Sequence, residues 1–390
     1  MRLLKDSSFS AIVAGFVTVL VGFTSSAVIV FKAAENLGAT PEEIGSWMCA
    51  LGIGMGATCI LLSLRYRVPV VTAWSTPGAA MLAVSTTHAG MAEAVGAFLI
   101  SAALIALAGF AGWFERAIKK IPGAIAAGML AGVLLRFGLD VFVSMKSEFA
   151  LVFAMFCAYL ALRRLLPRYA VVGALAMGLL VAALQGTLHM EGVHLRVAQL
   201  VWHAPVFSLA AIVGLALPLF VVTMASQNVP GVAVIRASGY EVPVSPVIGW
   251  TGVANLVLAP FGGFALNLAA ITAAICMGRE SHEDPARRYV ASVAAGVFYL
   301  LMGLFGATVG ALFLAFPREL VLGIAGLALL GTIGNGLAAA VSDDRQREPA
   351  LITFLVTASG VSLQGIGSAF WGLLAGALAM AVAHAGKKTV

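Results

Sequence analysis

The residues of this chain that could do chemistry are few, mostly uncharged, and set inside apolar runs. The first group is Trp74-Ser75-Thr76-Pro77-Gly78. It follows a β-branched stretch after Pro69 that favours extended backbone. Ser or Thr just ahead of Pro reads as a helix start, with a hydroxyl capping a backbone N–H and Pro in the first turn. A second group has the same layout further on: Pro260, Gly262 and Gly263, then Phe264, Asn267 and Leu268, leading into helix-forming residues up to Ala274. Asn267 is the expected cap there. Two such starts near mid-membrane would aim free N–H groups and positive dipole ends at a common centre, which suits an anion. The plainer reading of Pro77 is a kink that Ser75 caps.

Two further polar clusters interrupt apolar helices: Gly22-Phe23-Thr24-Ser25-Ser26 and Thr223-Met224-Ala225-Ser226-Gln227-Asn228. Ser25, Ser26, Ser226, Gln227 and Asn228 could hydrogen-bond a carboxylate or solvate a cavity. The competing reading is that they join helices, a common use of Ser and Asn in membranes. Pro230-Gly231 just after the second cluster favours a break there. Arg136 and Asp140 are an opposite-charge pair four residues apart, on one helix face. They read either as a structural pair with Arg136 reaching to the interface, or as a gate or proton-linked group beside the substrate path. Glu93 opens an apolar segment and reads as interfacial; it joins them as an acid near the membrane interior.

The elements that must position these residues are transmembrane. The chain has 390 residues, 61% hydrophobic and 10% charged, with mean hydropathy +1.02. Soluble domains run near 45–50% apolar and about 25% charged. That excludes a soluble enzyme, a nucleic-acid binder and a disordered protein. A helix needs about 20 apolar residues to cross a bilayer. Apolar segments fall at 9–31, 44–64, 68–87, 92–114, 122–144, 149–163 and 169–187, then at 206–234, 244–259, 262–278, 288–315, 318–340, 349–362 and 365–384. The predicted fold is therefore an all-α polytopic membrane protein of about fourteen spans. Short strands precede half-helices in spans 3 and 10. The first span is long enough to stay in the membrane rather than be cleaved as a signal.

Charge placement tests that count. With the N-terminus cytoplasmic, only Lys32, Lys146, Arg196 and Arg318 fall outside, Arg136 lies within a span, and every other Lys and Arg is cytoplasmic. The positive-inside rule supports this topology, with both termini cytoplasmic. Seven spans per half inverts the second copy, the pattern of many secondary transporters. The halves are 1–187 and 206–390, joined by a polar extracytoplasmic linker at 188–205. The four cysteines have no metal or redox spacing and read as small core residues. No phosphate-binding loop appears, and no cofactor or metal is expected.

Several runs resemble the benzoate transporter (BenE) family of bacterial inner membranes: Thr72-Ala-Trp-Ser-Thr-Pro-Gly-Ala-Ala80, Thr223-Met-Ala-Ser-Gln-Asn-Val-Pro-Gly231, Ala270-Ile-Thr-Ala-Ala-Ile-Cys276, Gly128 to Gly138 and Gly367 to Gly372. The resemblance spans nearly the whole chain. It implies symport of benzoate with protons on the 7+7 inverted-repeat fold of uracil-permease-like transporters. In that fold spans 1–4 and 8–11 form a core domain, and spans 5–7 and 12–14 a gate domain. The site lies between half-helices 3 and 10 beside spans 1 and 8, and homodimers are common. Nucleobase members of the wider fold carry acids in spans 8 and 10. Here Ser226-Gln227-Asn228 and Asn267 stand instead, which suits a carboxylate better than a nucleobase. The expected site has the carboxylate near Ser75, Thr76 and Asn267, and the ring on Phe23, Trp74, Phe264 and Leu268. Another organic anion, a nucleobase or sulfate on the same fold is the alternative cargo, and an anion channel a further alternative.

Overall fold

The computed structural model describes residues 6–83, 85, 90–118, 122–188, 197–306, 316–361, 363 and 368–385, without the side chains of residues 24, 25, 28, 117, 118, 168, 384 and 385. The chain is mostly helical. Among the described residues, six helices are long and apolar enough to cross a membrane: Pro41–Tyr66, Met91–Phe110, Gly123–Ser144, Leu209–Ala237, Val244–Phe261 and Arg318–Ala340. The first half runs α1 (Phe9–Asn36), α2 (Pro41–Tyr66), β1 (Thr72–Trp74), α3 (Thr76–Ala83), α4 (Met91–Phe110), α5 (Trp113–Ile118), α6 (Gly123–Ser144), α7 (Phe149–Leu165) and α8 (Ala170–Leu184). The second runs α9 (Leu209–Ala237), α10 (Val244–Leu258), β2 (Leu266–Leu268), α11 (Ile271–Met277), α12 (Tyr289–Leu304), α13 (Arg318–Ala340), α14 (Arg347–Ala358) and α15 (Ser368–Ala385). Each of the fourteen apolar segments contains a helix.

Local chemistry sets the element ends. Thr40 caps α2 in a capping box with Glu43, and Pro41 fills the first helical position. The apolar run from 242 to 278 breaks where Pro260 and Gly262 predict. Gly262 adopts φ +90, and a Cβ there would fall 1.8 Å from the Trp47 ring, so both backbone and space call for glycine. Helix α9 is not a regular cylinder. Wider, π-helical turns occupy Ile212–Ala216 and Met224–Asn228, and the second carries Ser226, Gln227 and Asn228. Such bulges free backbone groups and re-aim side chains.

Packing follows a reciprocal pattern. α1 packs on α12, and α9 on α4; α2 packs on α12, and α10 on α4. α7 pairs with α8, and α14 with α15; α14 lies on α6, and α7 on α13. α6 and α13 pack directly on each other. Small residues make the tight crossings: a Cβ at Gly52 would sit 2.5 Å from Gly303, and one at Gly109 2.3 Å from Gly249. Close approach of backbones through small residues is the usual adhesive where lipid removes the hydrophobic drive between helices.

At the centre β1 and β2 pair antiparallel, with Thr72 opposite Leu268, Ala73 opposite Asn267 and Trp74 opposite Leu266. Ser75 N–H to Ala265 O (2.9 Å) and Ala269 N–H to Val71 O (2.9 Å) extend the ladder at both ends. This corrects one expectation: Asn267 is not a helix cap. Its backbone belongs to the strand, and α11 begins four residues later after Ala270, without a side-chain cap.

Candidate functional site

An isolated two-stranded ribbon in a membrane leaves two bare edges, each a row of groups that water cannot reach. Side chains from flanking helices satisfy them. On the β1 side, Val70 N–H donates to Ser63 Oγ (3.2 Å) and Thr72 N–H to Cys59 Sγ (3.2 Å). Thr58 and Thr72 hydroxyls meet at 2.6 Å. On the β2 side, Leu266 N–H donates to Asn255 Oδ1 (2.8 Å), and Asn255 Nδ2 returns a bond to Leu266 O (3.2 Å). Leu268 N–H donates to Asn228 Oδ1 (3.0 Å). Asn255, Ser63 and Cys59 thus act as surrogate strands. Sequence reading missed Asn255 and Ser63 and took Cys59 as plain core; polar side chains one or two turns apart on the helix before each strand were the available signal.

The half-helix starts lie over a cavity of about 330 Å³, within the range of ligand pockets. Its wall includes Ser26, Trp74, Thr76, Pro77, Gln227 and the α11 start from Ala269 to Thr272. Val21, Met55, Phe137 and Tyr299 supply the apolar remainder. Trp74 Nε1 donates to Ser26 Oγ (2.9 Å), and Ser26 donates to Gly22 O (3.1 Å), so the indole is held in one pose. Phe23 meets Trp74 edge-on at 6.3 Å. Gln227 makes no hydrogen bond among the described residues, which leaves its amide for a ligand.

A neighbouring cavity of about 300 Å³ shares Pro77, Gln227, Ala270 and Ile271 with the first. It adds Ser226, Thr357, Ser359 and Arg136. Among the described residues Arg136 is the one charged side chain on either wall, and it forms no ion pair with Asp140. A guanidinium beside a neutral cavity attracts an anion without fixing it there.

Several expected site residues stand elsewhere. Ser75 is fully buried: its Oγ caps α3 through Gly78 N–H (3.1 Å) and accepts from Thr223 Oγ1 (3.1 Å), so it shapes the half-helix from behind. Gly78 is packed against Leu219 and Ser75. Asn228 is spent on Leu268 N–H and Met224 Sδ. Asn267 is fully buried and Leu268 lies against Gly231. Phe264 joins Trp47 and Phe98 in an aromatic cluster. None of these lines either cavity, nor do Glu93 and Asp140. Ser25 has its side chain outside the described residues. Phe137, Thr272 and Tyr299 line the cavity without having been singled out in the sequence; each looks like ordinary core until the broken helices are placed.

Broken helices over a mixed polar and apolar cavity in a helical membrane protein are the layout of a membrane transporter. The chain belongs to the benzoate membrane transport protein family (BenE), which matches residues 5–382. It is 47% identical over 371 residues to the inner membrane protein YdcO of Escherichia coli strain K12, covering 95% of each chain. It is 41% identical over 375 residues to a benzoate membrane transport protein of Acinetobacter baylyi, covering 96% of this chain and 95% of the relative. It superposes on the structure of SLC26A9 with TM-score 0.49 at 10% identity, covering 98% of this chain and 66% of that one.

Proposed function

We propose that this protein takes up benzoate together with protons across the bacterial inner membrane by alternating access. The observation that carries this reading is the cavity walled by the starts of two half-helices from opposite halves of the chain. Its lining has no charge, and Arg136 waits in the adjoining space. The benzoate carboxylate accepts hydrogen bonds from Gln227, from Thr76 and from the free N–H groups at the α11 start. The ring rests on Met55, Trp74 and Phe137. Neither cavity offers an Asp or Glu among the described residues, so the substrate's own carboxyl is the acid nearest the site. Membership of a benzoate transport family supports the cargo.

The chain crosses the membrane fourteen times in this reading, as two inverted repeats of seven spans at 1–187 and 206–390. The reciprocal helix packing supports it: each helix pair named above has a counterpart when the halves are exchanged, while β1–β2 and α6–α13 map onto themselves. Helices α1–α4 and α9–α12 form the core, and α6–α8 and α13–α15 the gate. The basic loops and both termini face the cytoplasm, so the Arg136 cavity opens outward. Exposed Leu61, Phe110, Leu184 and Leu209 face lipid.

Purified protein in proteoliposomes tests the reading. Labelled benzoate should accumulate with an inward proton gradient above protein-free vesicles, which benzoic acid also enters. Unlabelled benzoate should compete and a protonophore should collapse the gain. Uptake no greater than in protein-free vesicles removes benzoate as the cargo.

A further inference from the structure

A third cavity, of about 300 Å³, lies where α9 and α11 end against α6, α7 and α13. Its walls carry Arg163, Arg279 and Arg288 around one acid, Glu280. Arg288 is buried and donates to three carbonyls of its own turn: Met277 O (2.8 Å), His282 O (2.7 Å) and Glu283 O (3.3 Å). That clasp fixes the turn bearing Arg279 and Glu280. Arg163 donates to the Tyr159 hydroxyl and stacks over its ring at 5.6 Å, which leaves its other N–H groups toward the cavity.

Glu280 reaches across to α13. A Cβ on Gly331 would fall 2.7 Å from Glu280 Oε1, and one on Gly278 2.8 Å from Oε2. The carboxylate makes no hydrogen bond or ion pair among the described residues. Gly331 has a telling counterpart. Counted from Pro122 and Pro317, which cap α6 and α13, the runs Gly128–Leu135 and Gly323–Leu330 stand at the same steps; both start with Gly and end Leu-Leu, with small or apolar residues between. The next residue is Arg136 in α6 and Gly331 in α13. One cavity therefore has a guanidinium on its gate helix. In the other, that position is empty and a carboxylate from the turn after α11 fills it.

We propose that this third cavity is a second, weaker site for small carboxylate anions, walled by Arg163 and Arg279, in which Glu280 is a tethered carboxylate that competes with the ligand. The proposal rests on the reading of the chain as a carboxylate transporter with this face toward the cytoplasm. The arginines concentrate the anion leaving the central cavity. Glu280 repels it and keeps its residence short, so the inner mouth releases where the outer mouth gathers.

Arginine protection in the purified full-length protein tests this. Phenylglyoxal modification of Arg163 and Arg279 is followed by peptide mass spectrometry, with sodium benzoate, sodium acetate or neutral benzamide present. Both carboxylates should slow modification, and benzamide should not. Glu280→Gln should lower the protecting concentration by on the order of threefold to tenfold, the scale of one like charge at a partly solvated site. Gly331→Ala, which displaces the carboxylate without removing it, should act in the same direction. Gln227→Ala, expected to lose uptake, should keep the protection. Carboxylate protection without benzoate uptake in any form would sink the cargo reading and leave this site standing. No protection in wild type and Glu280→Gln, or protection that vanishes in Gln227→Ala, overturns it.

Discussion

Gln227 and Asn255 are both amides on helices beside the same strand pair, yet they do opposite work. Gln227 keeps its amide for the cavity, whereas Asn255 spends both ends on the backbone of Leu266. Gln227→Ala should therefore lower benzoate uptake by about tenfold, the value of one or two hydrogen bonds to an ionised ligand, at unchanged thermal stability. Asn255→Ala should destabilise instead, by roughly 2–4 kcal/mol for two stranded backbone groups, read as a lower melting temperature in detergent. Equal melting temperatures for Asn255→Ala and wild type would contradict the surrogate-strand role. Arg136→Ala should raise the KM for benzoate about fivefold while leaving kcat nearly unchanged, since a charge in the adjoining cavity gathers the anion rather than binding it. Ser75 was legible in the sequence as a cap but not as a residue the cavity never reaches. Capping is decided within three residues; the Thr223 hydroxyl that closes over it comes from α9.

At the scale of elements, β1 with α3 was readable and β2 with α11 only partly so. Ser75-Thr76-Pro77 carries its own instructions for where the helix begins. Asn267-Leu268 does not, because the strand is prolonged by Asn228 from α9 and Asn255 from α10. Asn255 stands on the helix just before the strand, where it could have been noticed, but Asn228 lies 40 residues before Leu268, beyond the reach of any local pattern. The turn before β2 is just as demanding. Gly262→Ala needs a positive φ and drives a methyl into the Trp47 ring. It should cost several kcal/mol, on the order of a strained backbone plus an overpacked core, and be seen as loss of monodisperse protein on size exclusion. Phe264 was expected beside the ligand because aromatic residues near a break invite that role; in the fold it locks Trp47 and Phe98 together, and so holds the break itself in place.

For the whole molecule, the alternation of basic loops is the one long-range property that composition and order reveal without any contact being known. The proposed sidedness rests on it, and it can be checked in cells. With exposed Cys157 replaced by Ser, single cysteines introduced at Ser147 and at Arg345 should react oppositely with a membrane-impermeant maleimide. Ser147 should label in intact spheroplasts, and Arg345 only after lysis. Labelling of both on the same side would break the odd-numbered repeat. What order alone could not reveal is which helix faces meet, as those of α6 and α13 do, and the cavities that open where others part.

The ribbon at the centre also sets a clock. Ala73 emerges from the ribosome about 190 residues before Asn267, and at about 5–20 residues per second the first strand waits roughly 10–40 s for its partner. During that wait its edge toward α2 is already covered by Ser63 and Cys59, from residues made moments earlier. Its other edge has nothing to hold. The first half is thus born as an unfinished sheet inside the bilayer. It should be a substrate for membrane quality control if made alone, and be rescued by the second half supplied as a separate chain.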